Sequence, residues 1–348
     1  MDTGKVEPMK IIQILPGLEE GGVERHVLWL SNELASRGHE ILVVSSGGKL
    51  EGQFEPSVKH WRLPVHVKNP VTGAWCAARI AWRVKREKWD VLHAHSRVPI
   101  WITWWSSAMS KAPWVSTAHA LYTLNAALNP LRRAEVVICV SQAVRDHLKG
   151  WLPPRNMVIY NGLPQAYESW DPGPRDGMVR FLFLGRLVPK KGLQVVLKAL
   201  GEIREKNWRL DVVGDGSFRP ELEALARELK IAKRVAFHGF RDDTGKWMKE
   251  CDCFLFPSLE EGMGLTLMQA IHIGVPILAS DIPAARELAA GEAADLISPG
   301  DVKAWRRRLK EVIRDEGKFS YFDGSKIGTV ADRTDEIEKV YAEAAAAR

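Results

Sequence analysis

Residues Pro257 to Asp281, PSLEEGMGLTLMQAIHIGVPILASD, constrain what this chain can fold into more than any other stretch. An apolar strand, Cys251 to Phe256, runs out into a loop carrying Glu260 and Glu261, then Gly262-Met263-Gly264, then a helical run from Leu265 to Ile273. Strand, glycine loop and helix in that order form half of a βαβ unit. A glycine loop opening a helix presents unpaired backbone N–H groups and the positive end of the helix dipole, which suit phosphate or sugar hydroxyls. Glu261 before the first glycine and Gln269 on the second helical turn add acceptors able to pin sugar hydroxyls. Gly262, Met263, Gly264, Leu265, Glu261 and Gln269 are therefore candidate binding residues.

The same alternation recurs along the chain. Lys10–Leu15 predicts a strand, Gly21-Gly22 a loop, Val23 onward a helix with Val27, Leu30 and Leu34 on one face, and Ile41–Val44 the next strand. Gly21 and Gly22 could bring backbone close to a phosphate, but they are not the G-x-G-x-x-G of a nicotinamide site. Asp90–Ser96 and Trp114–Ala118 predict further strands. His119 falls at a strand's carboxyl end, where ligands gather in open parallel sheets. His26 reads as a core-edge histidine; His93 and His95 alternate on one strand face, without an assigned role. Glu135–Val140 is the next strand, with Ser141 as the N-cap of a helix. After a Pro- and Gly-rich stretch at 165–178, read as a linker, a second set begins: Arg180–Leu184 runs into Gly185-Arg186, with Lys191 just before Gly192 and a helix. Two cations at a helix start are placed to hold a diphosphate, the arginine in bidentate fashion. The last segment, 331–348, predicts a helix.

With 348 residues the chain fits two domains. No run approaches the roughly 18 apolar residues of a membrane span, and the first ten residues lack a signal-peptide pattern, so a cytoplasmic location is expected. The four cysteines agree with a reducing compartment. Cys251 and Cys253 have no second Cys/His pair at zinc spacing and read as core. The net charge of +6 is uneven: residues 1–164 carry +7 and the rest −1. A basic first half without nucleic-acid motifs points to membrane phosphates or an anionic acceptor. On a helix from about Gly73 to Lys88, Trp75, Arg79, Trp82 and Arg86 share the face opposite Ala77, Ile80, Ala81 and Val84, the composition of an interfacial helix. Trp101, Trp104 and Trp105 form a second stripe, assigned to the core or to acceptor binding.

The Glu261-x7-Gln269 pattern resembles the C-terminal signature of the retaining GT-B glycosyltransferases of family 4, in which both positions are Glu. FLFLGRLVPKKG resembles that family's diphosphate site. VSQAV, YNGLP and LISPGD resemble further family elements, so the likeness runs from the Gly21-Gly22 loop to the final helix. It implies an α/β GT-B fold of two Rossmann-like, doubly wound domains facing a central cleft: 1–164 on the acceptor side, a linker at 165–178, 179–330 for the nucleotide sugar, and a helix at 331–348 crossing back to the first domain. It implies Arg186, Lys191, Glu261 and His119 as catalytic residues. The donor-binding set it implies is Gly21, Gly22, Gly185, Gly214, Gly239, Phe240, Gly262, Met263, Gly264, Leu265 and Gln269.

The function implied is retaining transfer of a hexose-type sugar from a nucleoside-diphosphate sugar to a lipopolysaccharide or lipid-linked glycan. UDP is the favoured nucleotide, with GDP and ADP as alternatives. No metal is demanded, because the two cations and the helix end replace it, and Asp211 and Asp215 are wrongly spaced for D-x-D. The protein is expected in the cytoplasm, or peripherally on the inner face of the cell membrane, with no nucleic-acid partner. Two alternatives stay open: a non-catalytic nucleotide-sugar binder, motivated by Gln269, and a nucleotide-sugar epimerase, which would need acid/base groups beyond His119.

Overall fold

The structure, a computed structural model, describes residues 7–164, 167–171, 173, 177–289, 295–315, 319–320 and 322–346. The chain divides into two compact units, one made of residues 1–164 with 328–348 and the other of 165–327.

Unit 1 contains β1 (Lys10–Ile14), α1 (Gly22–Ser36), β2 (Glu40–Ser45), β3 (Lys59–Arg62), α2 (Pro70–Glu87), β4 (Val91–His95), α3 (Arg97–Ser110), β5 (Trp114–Ala118), β6 (Val136–Cys139), α4 (Gln142–Leu148) and β7 (Asn156–Val158). The seven strands are all parallel, in the order β3-β2-β1-β4-β5-β6-β7. Strand order therefore reverses between β1 and β4, and that switch point opens a crevice outside the two strands' carboxyl ends. Ile11, Ile41, Val43, Val91, Val115, Val136 and Ile138 face α1 in one apolar cluster.

Unit 2 contains β8 (Val179–Leu184), α5 (Leu193–Gly201), β9 (Trp208–Val213), α6 (Arg219–Glu228), β10 (Val235–Gly239), α7 (Thr244–Glu250), β11 (Cys253–Phe256), α8 (Leu265–Ile273), β12 (Ile277–Ala279), α9 (Pro283–Leu288) and α10 (Val302–Ile313). Its sheet is also parallel, ordered β10-β9-β8-β11-β12, so its switch point lies between β8 and β11.

The last helix, α11 (Val330–Ala346), belongs to unit 1. Its Ile337, Val340, Tyr341 and Ala344 join the cluster under α1. Arg37 ties it down by donating to Glu338 at 2.9 Å and to Asp335 at 2.5 Å, and His39 Nε2 lies 2.9 Å from Glu338 Oε1.

Details differ from the sequence expectations where local signals are weak. The stretch 165–178 is not a free tether where it is described: Trp170 Nε1 donates to the Cys251 carbonyl and its backbone N–H to Ile273, both at 2.8 Å. Proline and glycine content suggested flexibility, but the tryptophan between them has a docking place. Residues 165, 166, 172 and 174–176 of that stretch lie outside the described residues, as do 347–348 of the final helix. Helix α2 begins at Pro70, three residues early, because the Asn69 side chain caps it by accepting from Val71 and Thr72 N–H. Cys251 and Cys253 are buried free thiols, and burial raises the pKa of both.

Tyr341 is fully buried between β1, β4 and α1. Tyr341→Ala should lower the unfolding free energy of unit 1 by about 3–5 kcal/mol, the cost of deleting a large buried aromatic. Denaturant unfolding checks this; a loss below about 1 kcal/mol would remove α11 from the core.

Candidate active site

In unit 2 the candidates gather along the carboxyl edge of the sheet. β8 runs out into Gly185-Arg186, β9 into Gly214, β10 ends at Gly239 with Phe240 next, and β11 leads to Glu261. These ends are tied together: Gly185 N–H donates to Val213 (3.0 Å), Gly214 N–H to Gly239 (2.8 Å) and Leu187 N–H to Asp215 (2.9 Å). Arg186 is exposed while the next residue, Leu187, is buried as an anchor.

The switch point between β8 and β11 carries the charged pair. After β8 a 3₁₀ turn, Pro189–Lys191, ends at Gly192 with φ +74°. A Cβ there would stand 1.9 Å from the Pro257 carbonyl oxygen, so only glycine lets this turn press against the exit of β11. Lys190 C=O then accepts from Leu259 N–H at 2.8 Å. The result is an ion pair between Lys191 Nζ and Glu261 Oε1, with Ser258 Oγ donating to the same carboxylate oxygen at 2.9 Å. The side chains are 20% and 11% exposed, enough to meet a ligand yet largely shielded from screening.

Gly264 opens α8 with φ +84°, and a Cβ on it would meet the Phe256 ring at 2.8 Å. The first intrahelical bonds run from Leu267 and Met268 N–H to the Gly264 carbonyl, so the Gly264, Leu265 and Thr266 amides stand ahead of the ladder. Met263 is buried and holds the loop down. Gln269 is also buried, and its Nε2 donates to Tyr167 Oη at 2.5 Å. That tyrosine, from the stretch read as a linker, is a partner the sequence did not reveal.

In unit 1 the structure brings together a polar set that the sequence left mostly unassigned. Side chains alternate along a strand, so Ile11 and Gln13, Val91 with His93 and His95, and Val115 with Thr117 share the face covered by α1 and α11. Each strand changes from apolar to polar toward its carboxyl end. His93 Nδ1 lies 2.6 Å from Tyr341 Oη and its Nε2 2.7 Å from Thr117 Oγ1. His95 Nε2 lies 2.8 Å from Gln13 Oε1, and its Nδ1 2.9 Å from His119 Nε2. Gln13 Nε2 donates to Tyr341 Oη at 2.9 Å. His26, one helical turn into α1 behind Gly21 and Gly22, sets its ring edge-on to His119 at 5.0 Å. His119 alone of the four histidines is partly exposed.

Burial holds His93, His95 and His119 well below the usual imidazole range, reinforced by their proximity to one another, and lowers His26 to about 4. The four rings are therefore neutral at pH 7. His26, His95 and His119 offer nitrogen atoms within 4.8 Å of one another, a donor set suited to a metal ion. Yet the lone pair between His95 Nδ1 and His119 Nε2 is already spent on their hydrogen bond. Period-two polarity along β4 was the available sequence signal for this set; its partners, Gln13 and Tyr341, were beyond local patterns.

A cavity of about 1020 Å³ lies elsewhere on unit 2, lined by Glu202, Glu205, Arg306, Lys310 and Arg314 among others. Two of its cations pair with its own acids, Arg306 with Glu202 and Arg314 with Glu205.

Residues 20–166 match the model of Glycosyltransferase Family 4, and residues 179–315 that of Glycosyl transferases group 1. The chain is 30% identical over 330 residues to a phosphatidyl-myo-inositol mannosyltransferase of Mycolicibacterium smegmatis, covering 85% of this chain and 82% of that one. It is 24% identical over 317 residues to a lipopolysaccharide core biosynthesis glycosyltransferase of Rhizobium meliloti, covering 85% and 87%. Among solved structures, Anabaena HepE in complex with UDP-glucose superposes with a TM-score of 0.76 at 20% identity, over 97% of this chain and 98% of that one. Two parallel α/β units, glycine-built strand ends and these likenesses together establish that the chain belongs to the family 4 glycosyltransferases and is an enzyme of the GT-B fold.

Proposed function

We propose that the enzyme transfers a hexose-type sugar, with retention and without a metal, from a nucleoside-diphosphate sugar to a lipid-linked or lipopolysaccharide glycan. The observation that carries this reading is the switch point of unit 2, where Lys191, Glu261 and the amino end of α8 converge. A diphosphate needs fixed positive charge, and a sugar needs fixed acceptors beside it. UDP is the favoured nucleotide, in keeping with the UDP-glucose complex of the Anabaena protein. The names of two relatives, a phosphatidyl-myo-inositol mannosyltransferase and a lipopolysaccharide core biosynthesis glycosyltransferase, favour a lipid-borne acceptor.

In this mechanism charge grows on the leaving phosphate and on the anomeric carbon. Arg186, Lys191 and the Met263 and Gly264 amides stabilise the leaving group, where preorganised donors act most strongly. Donor binding draws Lys191 from Glu261 toward phosphate and frees the carboxylate for sugar hydroxyls. His119 hydrogen-bonds the transferred sugar, Phe240 and Gly239 flank the base, and Gly21 and Gly22 let backbone approach the donor. The departing phosphate takes the acceptor's proton in a front-face displacement, unlike the paired carboxylates of glycosidases.

The acceptor reading extends to the surface of α2. Val71, Trp75 and Trp82 are 78%, 49% and 59% exposed, beside exposed Lys85, Arg86 and Lys88. Arg79 lies over Trp75 at 5.2 Å and Arg86 over Trp82 at 4.9 Å. Aromatic rings flanked by cations fit an anionic lipid surface. No described helix is long and apolar enough to cross a membrane, so contact through this face would be peripheral.

Three outcomes follow. Lys191→Ala should lower turnover at least about 10²-fold, the scale of one lost transition-state donor, measured as nucleoside diphosphate released with acceptor present; near-normal turnover removes Lys191 from the leaving-group site. Gln269→Glu should lower the donor KM with kcat little changed, because a charged acceptor holds ribose hydroxyls better while the Tyr167 hydroxyl can turn to donate to it. If the wild type transfers from no donor and Gln269→Glu does, the natural protein is a degenerate binder. The double variant Trp75→Ala/Trp82→Ala should sediment less with phosphatidylglycerol-containing liposomes than wild type, and equal binding refutes the membrane face.

A further inference from the structure

We infer that Gln13 is a positioning residue that sets, through His95, which ring nitrogen of His119 carries the proton. The inference builds on the assignment of His119 to the donor sugar. Five polar side chains connect in series: Thr117, His93, Tyr341, Gln13 and His95, with His119 at the exposed end. Gln13, Thr117, His93, His95 and Tyr341 are all 0–1% exposed, so water cannot satisfy any of them.

A neutral imidazole has one donor and one acceptor, so the direction of one bond in such a series dictates the next. The primary amide of Gln13 separates the two functions on different atoms. Its Oε1 faces His95 Nε2 and its Nε2 faces Tyr341 Oη. His95 must then be protonated on Nε2, which leaves Nδ1 as a lone pair. His119 Nε2–H donates to that lone pair, and His119 Nδ1 is left as a bare acceptor. On the other arm the Tyr341 hydroxyl donates to His93 Nδ1, and His93 Nε2–H donates to Thr117. Turning the amide by half a rotation would reverse every bond and make His119 Nδ1 a donor. The two polarities are the only ones that satisfy all members, and the amide selects between them.

The neutral state on which this depends is secured by burial, which lowers all three rings. An ionised His95 would donate from both nitrogens and erase the choice.

The test uses histidine labelled with ¹⁵N in the full-length protein and long-range ¹H–¹⁵N correlation, which separates protonated from bare ring nitrogens. His119 is assigned by the signals lost in His119→Asn. Wild type should show His119 with protonated Nε2 and bare Nδ1. Gln13→Met, of similar volume, should leave His119 as a mixture of tautomers or reversed, and kcat/KM for the donor should fall about tenfold, the worth of one net hydrogen bond. Leu34→Ala, a cavity in the same apolar cluster, should lower stability without moving the tautomer. A His119 tautomer identical in wild type and Gln13→Met, or a wild type with protonated Nδ1, overturns the inference. A tautomer that changes while transfer does not confirms the role of Gln13 and removes His119 from the reaction instead.

Discussion

The contact between the Pro257 carbonyl and the α-carbon of Gly192 is the constraint on which the site in unit 2 depends. It joins the loop after β8 to the loop after β11, the two strands between which the sheet reverses its order. Without that approach, Lys191 would sit on a surface turn with only solvent to order it, and an exposed ion pair is worth little. With it, the lysine meets Glu261, whose carboxylate Ser258 also holds, in a partly shielded place. Backbone packing does the positioning, and the charged side chains inherit its precision.

Unit 1 solves a different problem. It carries histidines into a sheet interior, where unpaired polar groups cost several kcal/mol each. The arrangement tolerates them because three neighbouring strands turn polar at the same level, and α11 supplies a phenol at the level where the strands lack a partner. His26 is the exception, with Nε2 buried and without a hydrogen-bond partner among the described residues. A buried orphan beside a histidine assigned to substrate is the kind of local conflict found where function outweighs stability.

Much of this was legible in the sequence for physical reasons. β11, its glycine loop and α8 announce themselves because a buried parallel strand is a continuous apolar run and a left-handed helix start requires glycine. Arg186 and Lys191 could be located since they follow such a strand directly. β3 could not be read: KHWR has no fully buried residue, so nothing forces an alternating pattern on an edge strand. β7, three half-buried residues, is silent for the same reason. The polar series in unit 1 was only half visible. His93 and His95 show their shared face, but the groups that give them meaning lie 82 residues away at Gln13 and 248 away at Tyr341. At 165–178 composition reports average stiffness and could not show that Tyr167 and Trp170 act as single anchors.

The return of α11 to unit 1 also has a temporal side. Unit 2 is continuous in the chain, from residue 165 to 327, and holds its own apolar core. Unit 1 is split, and the cluster beneath α1 lacks Ile337, Val340, Tyr341 and Ala344 until the final helix has been made. Domains fold as units while synthesis proceeds from the amino end. Here Gln13 and His93 lack their Tyr341 partner until α11 has been made, while unit 2 needs no later segment for its own core. The core beneath α1 is thus completed only after the whole of unit 2 has been made, although most of unit 1 precedes unit 2 in the chain.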